Sequence, residues 1–170
     1  MQFTLQFDPA RLSDLAARYN AAGDNKALAA GCRIRQGART RLELEDIFEW
    51  KTGGRGRSRL RSNTDAEIAD ALSLAVVART ERAAVSVLCG LRGVNVPVAS
   101  ALLTVIDPDR YTVIDFRALE ALGHETTDRS VNFYLEYLRA CRELAATHAI
   151  SLRNLDRALW QWSRDRGRIR

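Results

Sequence analysis

The sequence predicts an all-α fold, and three observations carry that expectation. Apolar residues recur at helical spacing along most of the chain, capping residues can be placed ahead of those runs, and only Phe3, Leu5 and Phe7 alternate with polar residues in strand fashion. One lone strand is not a sheet. With 170 residues, 46% of them hydrophobic, the chain is long enough to bury a core without disulfides or metals. It contains no internal repeat and no clear linker, so residues 1–170 read as a single multi-helix domain.

The elements follow in order. Asp8 and Pro9 open a helix running to about Tyr19, because Asp caps well and Pro is tolerated at the first helical position; Gly23-Asp24-Asn25 ends it. A helix through Leu42, Leu44, Ile47, Phe48 and Trp50 leads into Gly53-Gly54-Arg55-Gly56, a loop of mobile composition. Asn63 or Thr64 caps a helix carrying Ile68, Ala71, Leu72, Ala75 and Val76. A helix from near Thr80 to Leu91 precedes a tight turn at Arg92-Gly93-Val94-Asn95, and another runs from near Pro97 to Ile106. Tyr111-Thr112-Val113-Ile114 is short and β-branched, hence extended, and Asp115 then stands at an N-cap position before Phe116 to Leu122, with Gly123 as the stop. A long helix from about Ser130 to Thr147 places Val131, Tyr134, Leu138, Cys141 and Ala145 on one face. The last helix, Ser151 to about Arg164, turns Leu152, Leu155, Leu159 and Trp162 inward. Trp160 and Trp162 lie two apart and cannot share a helix face, so one belongs to the core and the other to a pocket or the surface.

Composition narrows the function classes. No run approaches the roughly 18 apolar residues of a membrane span, and the N-terminus lacks the basic start and apolar stretch of a secretory signal, which predicts a cytoplasmic protein. Cys32, Cys89 and Cys141 are 57 and 52 residues apart, too sparse for a disulfide framework, zinc knuckle or iron–sulfur cluster, so they read as packing residues and no metal or cofactor is expected. His124 reads as a solvated loop residue, and His148 as a residue favoured at a helix C-terminus. The formal charge is +5, and between Lys51 and Ser62 stand five cations, Lys51, Arg55, Arg57, Arg59 and Arg61, with no acid. Such a patch attracts polyanions such as nucleic acid through counterion release. Because 24 of the 26 cations are Arg, a general Arg bias contributes as well. No heptad repeat asks for a dimer, and a monomer is expected.

The segment Leu88 to Leu103 reads as a helix, a four-residue hairpin and a second helix with small residues. A hairpin of this kind leaves backbone N–H groups unpaired at the second helix's N-terminus, where they suit a phosphate oxygen. Gly93 and Asn95 are the residue types that best tolerate a left-handed turn.

This segment resembles the helix-hairpin-helix DNA glycosylases, the superfamily of the endonuclease III-type and alkyladenine-type repair enzymes. Leu91-Arg92-Gly93-Val94-Asn95 is similar to that family's L-x-G-V-G hairpin, and Val113-Ile114-Asp115 to the extended piece that ends on its catalytic Asp. The family's lysine slot falls on Pro97, and Asp115 lies 18 residues further on, the family's separation. The resemblance is strongest from Leu88 to Leu122, about a fifth of the chain. Trp50-Lys51, the Arg-rich stretch with Asn63, Pro97-Val98-Ala99-Ser100, Tyr111 to Asp115 and Leu155 to Ser163 further resemble a little-characterised prokaryotic branch.

The resemblance implies a base-excision hydrolase. Asp115 would stabilise positive charge on the deoxyribose; Arg92, Gly93, Val94 and Asn95, with Arg55, Arg57, Arg59 and Arg61, would hold the DNA backbone; Trp50, Lys51, Tyr111 and Trp160 would contribute to a pocket for a flipped base. Two departures matter. Pro97 replaces the lysine of bifunctional members, which implies a monofunctional enzyme without strand cleavage, and the iron–sulfur cysteines are missing while Asn95 replaces the second hairpin glycine. The competing readings are a non-catalytic DNA-binding module built on the same hairpin, and a helical interaction domain whose basic loop meets an acidic partner. A base-sized pocket beside Asp115 separates the first reading from the second.

Overall fold

Helices begin where a side chain takes up the amides that a first turn leaves unpaired. In the computed structural model, which describes residues 2–167, Thr40, Thr64, Thr80, Asn95, Asp115, Ser130 and Ser151 each accept a backbone N–H at such a start. Thr64 and Glu67 complete a reciprocal capping box, so Thr64 rather than Asn63 is the cap. The fold is all-α, and among the described residues there is no strand. Its helices are α1 (Leu12–Arg18), α2 (Asn25–Arg35), α3 (Arg41–Thr52), α4 (Arg57–Arg61), α5 (Asp65–Val77), α6 (Glu81–Cys89), α7 (Val96–Ile106), α8 (Phe116–Ala121), α9 (Val131–Thr147) and α10 (Leu152–Asp165).

Three helices depart from expectation. Asp8 caps only the short 3-10 turn Pro9–Arg11 ahead of α1, and Gly23-Asp24-Asn25 does not lead into a loop but closes a second 3-10 turn and launches α2. Ala27, Ala30, Gly31 and Ile34 bury the inner face of α2. A Cβ built on Gly31 would stand 2.1 Å from the Val105 carbonyl oxygen, so the missing side chain lets α2 lie directly on α7. The basic stretch, read as loop, turns through residues 53–56 and then forms α4, anchored by buried Leu60.

α7 is the axis of the core. Every residue from Val96 to Ile106 except Pro97 is buried, and α2, α3 and α6 pack around it. On the other side α10 packs on α1, α8 and α9. The alternating Phe3, Leu5 and Phe7 form no strand; the Thr4 and Gln6 amides donate to the Leu122 and Ala121 carbonyls at the end of α8 (3.1 and 2.9 Å), and the three side chains pack on the core. His124 joins this seam. Its ring lies 4.3 Å from that of Phe3 and its Nε2 is 2.9 Å from the Gln2 carbonyl, so it is a half-buried residue with packing partners rather than a fully solvated one. The cysteines are unpaired, with Cys141 buried and Cys32 and Cys89 half-buried. No described helix is long and apolar enough to cross a membrane.

The segment Tyr111 to Ile114 belongs to no helix and pairs with no strand, and side chains take the place of a ladder. Tyr134 and Tyr137 of α9 donate their hydroxyls to the Thr112 and Val113 carbonyls (3.1 and 2.7 Å), and Ser100 of α7 accepts the Ile114 amide (3.1 Å). Burial pushes both tyrosine hydroxyls up, so they remain protonated donors. This clamp delivers Asp115 to the start of α8 in a fixed position.

Candidate active site

Asp115 divides its two oxygens. Oδ1 accepts the Ala118 amide at 2.9 Å and caps α8, while Oδ2 faces Lys51 Nζ at 3.6 Å across the mouth of a cleft. Capping and chemistry are therefore compatible in this residue. The cleft has a volume of about 210 Å³ and is lined by Tyr19, Trp50, Lys51, Val113, Asp115, Arg153, Asp156 and Trp160. That is smaller than the roughly 300–1,000 Å³ of pockets for drug-sized ligands and suits a single ring system.

Its walls are held from beneath by Asp24, which is 1% exposed. The Asp24 carboxylate accepts Tyr19 Oη (2.9 Å), Trp50 Nε1 (3.1 Å), an Arg153 guanidinium nitrogen (2.5 Å) and an Arg157 guanidinium nitrogen (3.4 Å). Burial and the neighbouring Asp24 charge push the Tyr19 phenol up to about 12, which keeps it a donor. The Arg153 guanidinium also pairs with Asp156 and lies 5.6 Å from the Trp50 ring centre. Asp156 is buried, and that burial, reinforced by the Asp115 charge and opposed by Arg153 and Lys51, raises its carboxyl to about 6. Of the two carboxylates that line the cleft, Asp156 is the more deeply buried.

The sequence placed Trp50, Lys51, Asp115 and Trp160 at the site, and the structure brings these four together. Trp160 lines the cleft edge-on to Tyr19 (5.3 Å, 81°), whereas Trp162 is buried and stacks on Phe7 (5.4 Å, 29°). Tyr111 is elsewhere. It is buried with the Arg110 guanidinium over its ring (5.1 Å) and does not line the cleft. Tyr19, Asp24, Arg153 and Asp156 were not singled out. A signal for two of them exists, because Arg153, Asp156 and Trp160 recur three and four apart along α10, beside its apolar stripe.

The basic stretch and the hairpin form one surface. Asn63 is buried between them, donating Nδ2 to the Leu60 and Arg92 carbonyls (2.7 and 2.9 Å) and accepting the Arg92 amide (2.8 Å) on Oδ1. Gly93, at φ +84°, lies so close to α4 that a Cβ would come within 3.0 Å of the Leu60 nitrogen. The expected phosphate cradle is partly occupied: Val94 N bonds to the Leu91 carbonyl, and Asn95 caps α7 by accepting Val98 N at 3.1 Å. Three of the cations are also engaged, Arg57 with Glu49 (2.7 Å), Arg61 with Glu45 (3.1 Å) and Arg92 with Glu67 (3.5 Å). Arg55 and Arg59 are exposed and have no ion pair among the described residues.

A second cleft of about 330 Å³ borders α8, between Phe116 and Arg129, but none of its ionisable residues is buried as Asp156 is. Among the described residues no group of three or more His, Cys, Asp or Glu side chains is placed to hold a metal ion. Comparisons with protein-family models, curated proteins and solved structures find no match.

Proposed function

We propose that this chain is a DNA N-glycosylase, a hydrolase that breaks the bond between deoxyribose C1′ and a damaged or modified base turned out of the duplex. The observation that carries the reading is the Oδ2 edge of Asp115, left by the helix cap to face Lys51 in a ring-sized cleft walled by Tyr19, Trp50 and Trp160. Breaking an N-glycosidic bond builds positive charge on the sugar. A carboxylate fixed beside C1′ stabilises that charge and orients the attacking water. The aromatic walls offset the few kcal/mol needed to unstack the base. Arg55 and Arg59, exposed beside the hairpin, supply phosphate contacts that set the register of the duplex.

The test uses duplexes that each carry one modified base, incubated with the wild type and with Asp115→Asn, the released base being measured directly. Asn caps a helix about as well as Asp, so the variant keeps α8. Base release by the wild type from one of the substrates, reduced about 100-fold or more in Asp115→Asn, is the expected result. Salt-dependent binding by both proteins without base release from any substrate replaces the enzyme reading with that of a DNA-binding module.

A further inference from the structure

We infer that Phe116, Arg117, Trp160 and Arg164 form a binding surface for an unpaired stretch of polynucleotide, with the Phe116 ring stacking on a base and the two guanidinium groups taking phosphates. The inference goes beyond the proposed function and needs no base release. Among the described residues four large apolar side chains are exposed, and Phe116, at 47%, is the only aromatic one. It is the first residue of α8, directly after Asp115, and it does not pack on the core. A ring left in water forgoes the gain of burial, and the cap that Asp115 places on α8 asks nothing of it. Arg117 holds its guanidinium carbon 5.0 Å from the Phe116 ring centre and 5.2 Å from that of Trp160, and Arg164 holds its own 5.4 Å from Trp160. Two side chains from α8 and two from α10 thus form one continuous strip of alternating ring and cation.

Neither cation forms an ion pair among the described residues. Arg117 donates to Ser163 Oγ (3.5 Å), whose hydroxyl donates to Glu120 (2.6 Å), and Asp165, beside Arg164 in sequence, is taken by Arg18 (2.5 Å) and Gln161 (2.7 Å). An aromatic face holds a guanidinium in place without neutralising it, so its N–H donors remain for a phosphate. The α4 surface differs, because Arg57, Arg61 and Arg92 meet carboxylates there. The Phe116 ring also borders the second cleft, about 330 Å³, so open space for a base adjoins it. Glu120 and Glu125 line that cleft and repel a phosphate, which places the backbone on the Arg117 and Arg164 side. In a duplex the faces of the bases are covered by their neighbours. A protein ring outside the stack finds an open face only where the strand is unpaired, and stacking there tolerates any base sequence.

The probe is a labelled oligothymidylate of about 12 nucleotides, within the roughly 4–16 that such surfaces cover, compared with the same strand paired to its complement. Binding to the full chain is followed by fluorescence anisotropy at several salt concentrations. The wild type should bind the single strand with an affinity that falls as salt rises. Phe116→Leu keeps an apolar side chain but offers no ring face; it should weaken single-strand binding about tenfold and leave duplex binding within about twofold, and Phe116→Trp should bind as the wild type does. Arg117→Gln and Arg164→Gln should each lower the single-strand salt slope by about 0.7, whereas Arg139→Gln, at an exposed position of α9, should leave it unchanged. A folded Phe116→Leu protein that binds the single strand as the wild type does, or that loses the duplex to the same extent, overturns the inference, as does a wild type that fails to bind oligothymidylate at low salt. Should Phe116→Leu fail to fold, an unchanged slope in Arg164→Gln overturns it equally. No base release is read, so either result leaves the glycosylase reading where it stands.

Discussion

Replacing Asp156 by Asn isolates the electrostatic strain stored beneath the cleft. A buried carboxyl raised from an ordinary 3.8 to about 6 binds its proton more tightly in the folded chain than in the unfolded one. The sign follows from the proton count. Between those two values the folded state holds the extra proton, so wild-type stability falls as pH rises through the window. The penalty is absent below about pH 4 and complete above about pH 6, and a shift of about 2 units corresponds to about 3 kcal/mol. The amide in the Asp156→Asn protein carries no such charge. In urea denaturation from pH 3.5 to 8, the wild type should lose about 3 kcal/mol relative to Asp156→Asn across the window, other carboxylates cancelling in the difference. Parallel stability curves for the two proteins would refute the reasoning, because they would mean that Arg153 and Lys51 fully compensate the burial. A carboxylate kept at a cost in stability, inside a cleft, is the pattern of a group retained for function.

Three further outcomes are expected. Arg59→Ala, at an exposed cation with no ion pair among the described residues, should weaken duplex binding and lower the salt slope by about 1, whereas Arg57→Ala, whose cation is tied to Glu49, should change the slope less; titrations at several salt concentrations read both. Gly31→Ala should destabilise the chain by about 2 kcal/mol or more in thermal or denaturant unfolding, since its Cβ meets backbone at 2.1 Å rather than a side chain that can turn away. Tyr137→Phe removes the hydroxyl that holds the Val113 carbonyl, and should cost about 1–2 kcal/mol in stability while lowering base release more than substrate binding, because it loosens the segment that aims Asp115.

The caps were the most legible part of the chain. Thr64, Asp115, Ser130 and Ser151 act locally, and a residue type followed by an apolar stripe is enough to place them. The meeting of Trp50, Lys51, Asp115 and Trp160 was also within reach, through the resemblance and not through periodicity. What escaped depends on long-range contacts. Asp24 looked like part of a stop signal because Gly, Asp and Asn favour turns; its role as a buried acceptor requires Trp50 and Arg153, which lie 26 and 129 residues away. α2 was hidden behind the same signal, and α4 behind the glycines before it. Tyr111 was misplaced because nearness in sequence to Asp115 does not fix where a side chain is buried, and its ring packs in the core beneath Arg110 instead.

Asp24 also dictates when the cleft can exist. Its donors come from Tyr19, from Trp50 and from the last helix, so Tyr19 and Trp50 can share this support early, but the cleft lacks Arg153, Arg157 and its third aromatic wall, Trp160, until α10 has docked. Contacts of that separation close late, after their loop entropy has been met. A chain still emerging from the ribosome can fold α2 to α7 around their shared core, yet it has neither Trp160 nor the arginines that complete the wall. A cleft whose last aromatic wall arrives with α10 is thereby absent from every form in which that helix has not docked.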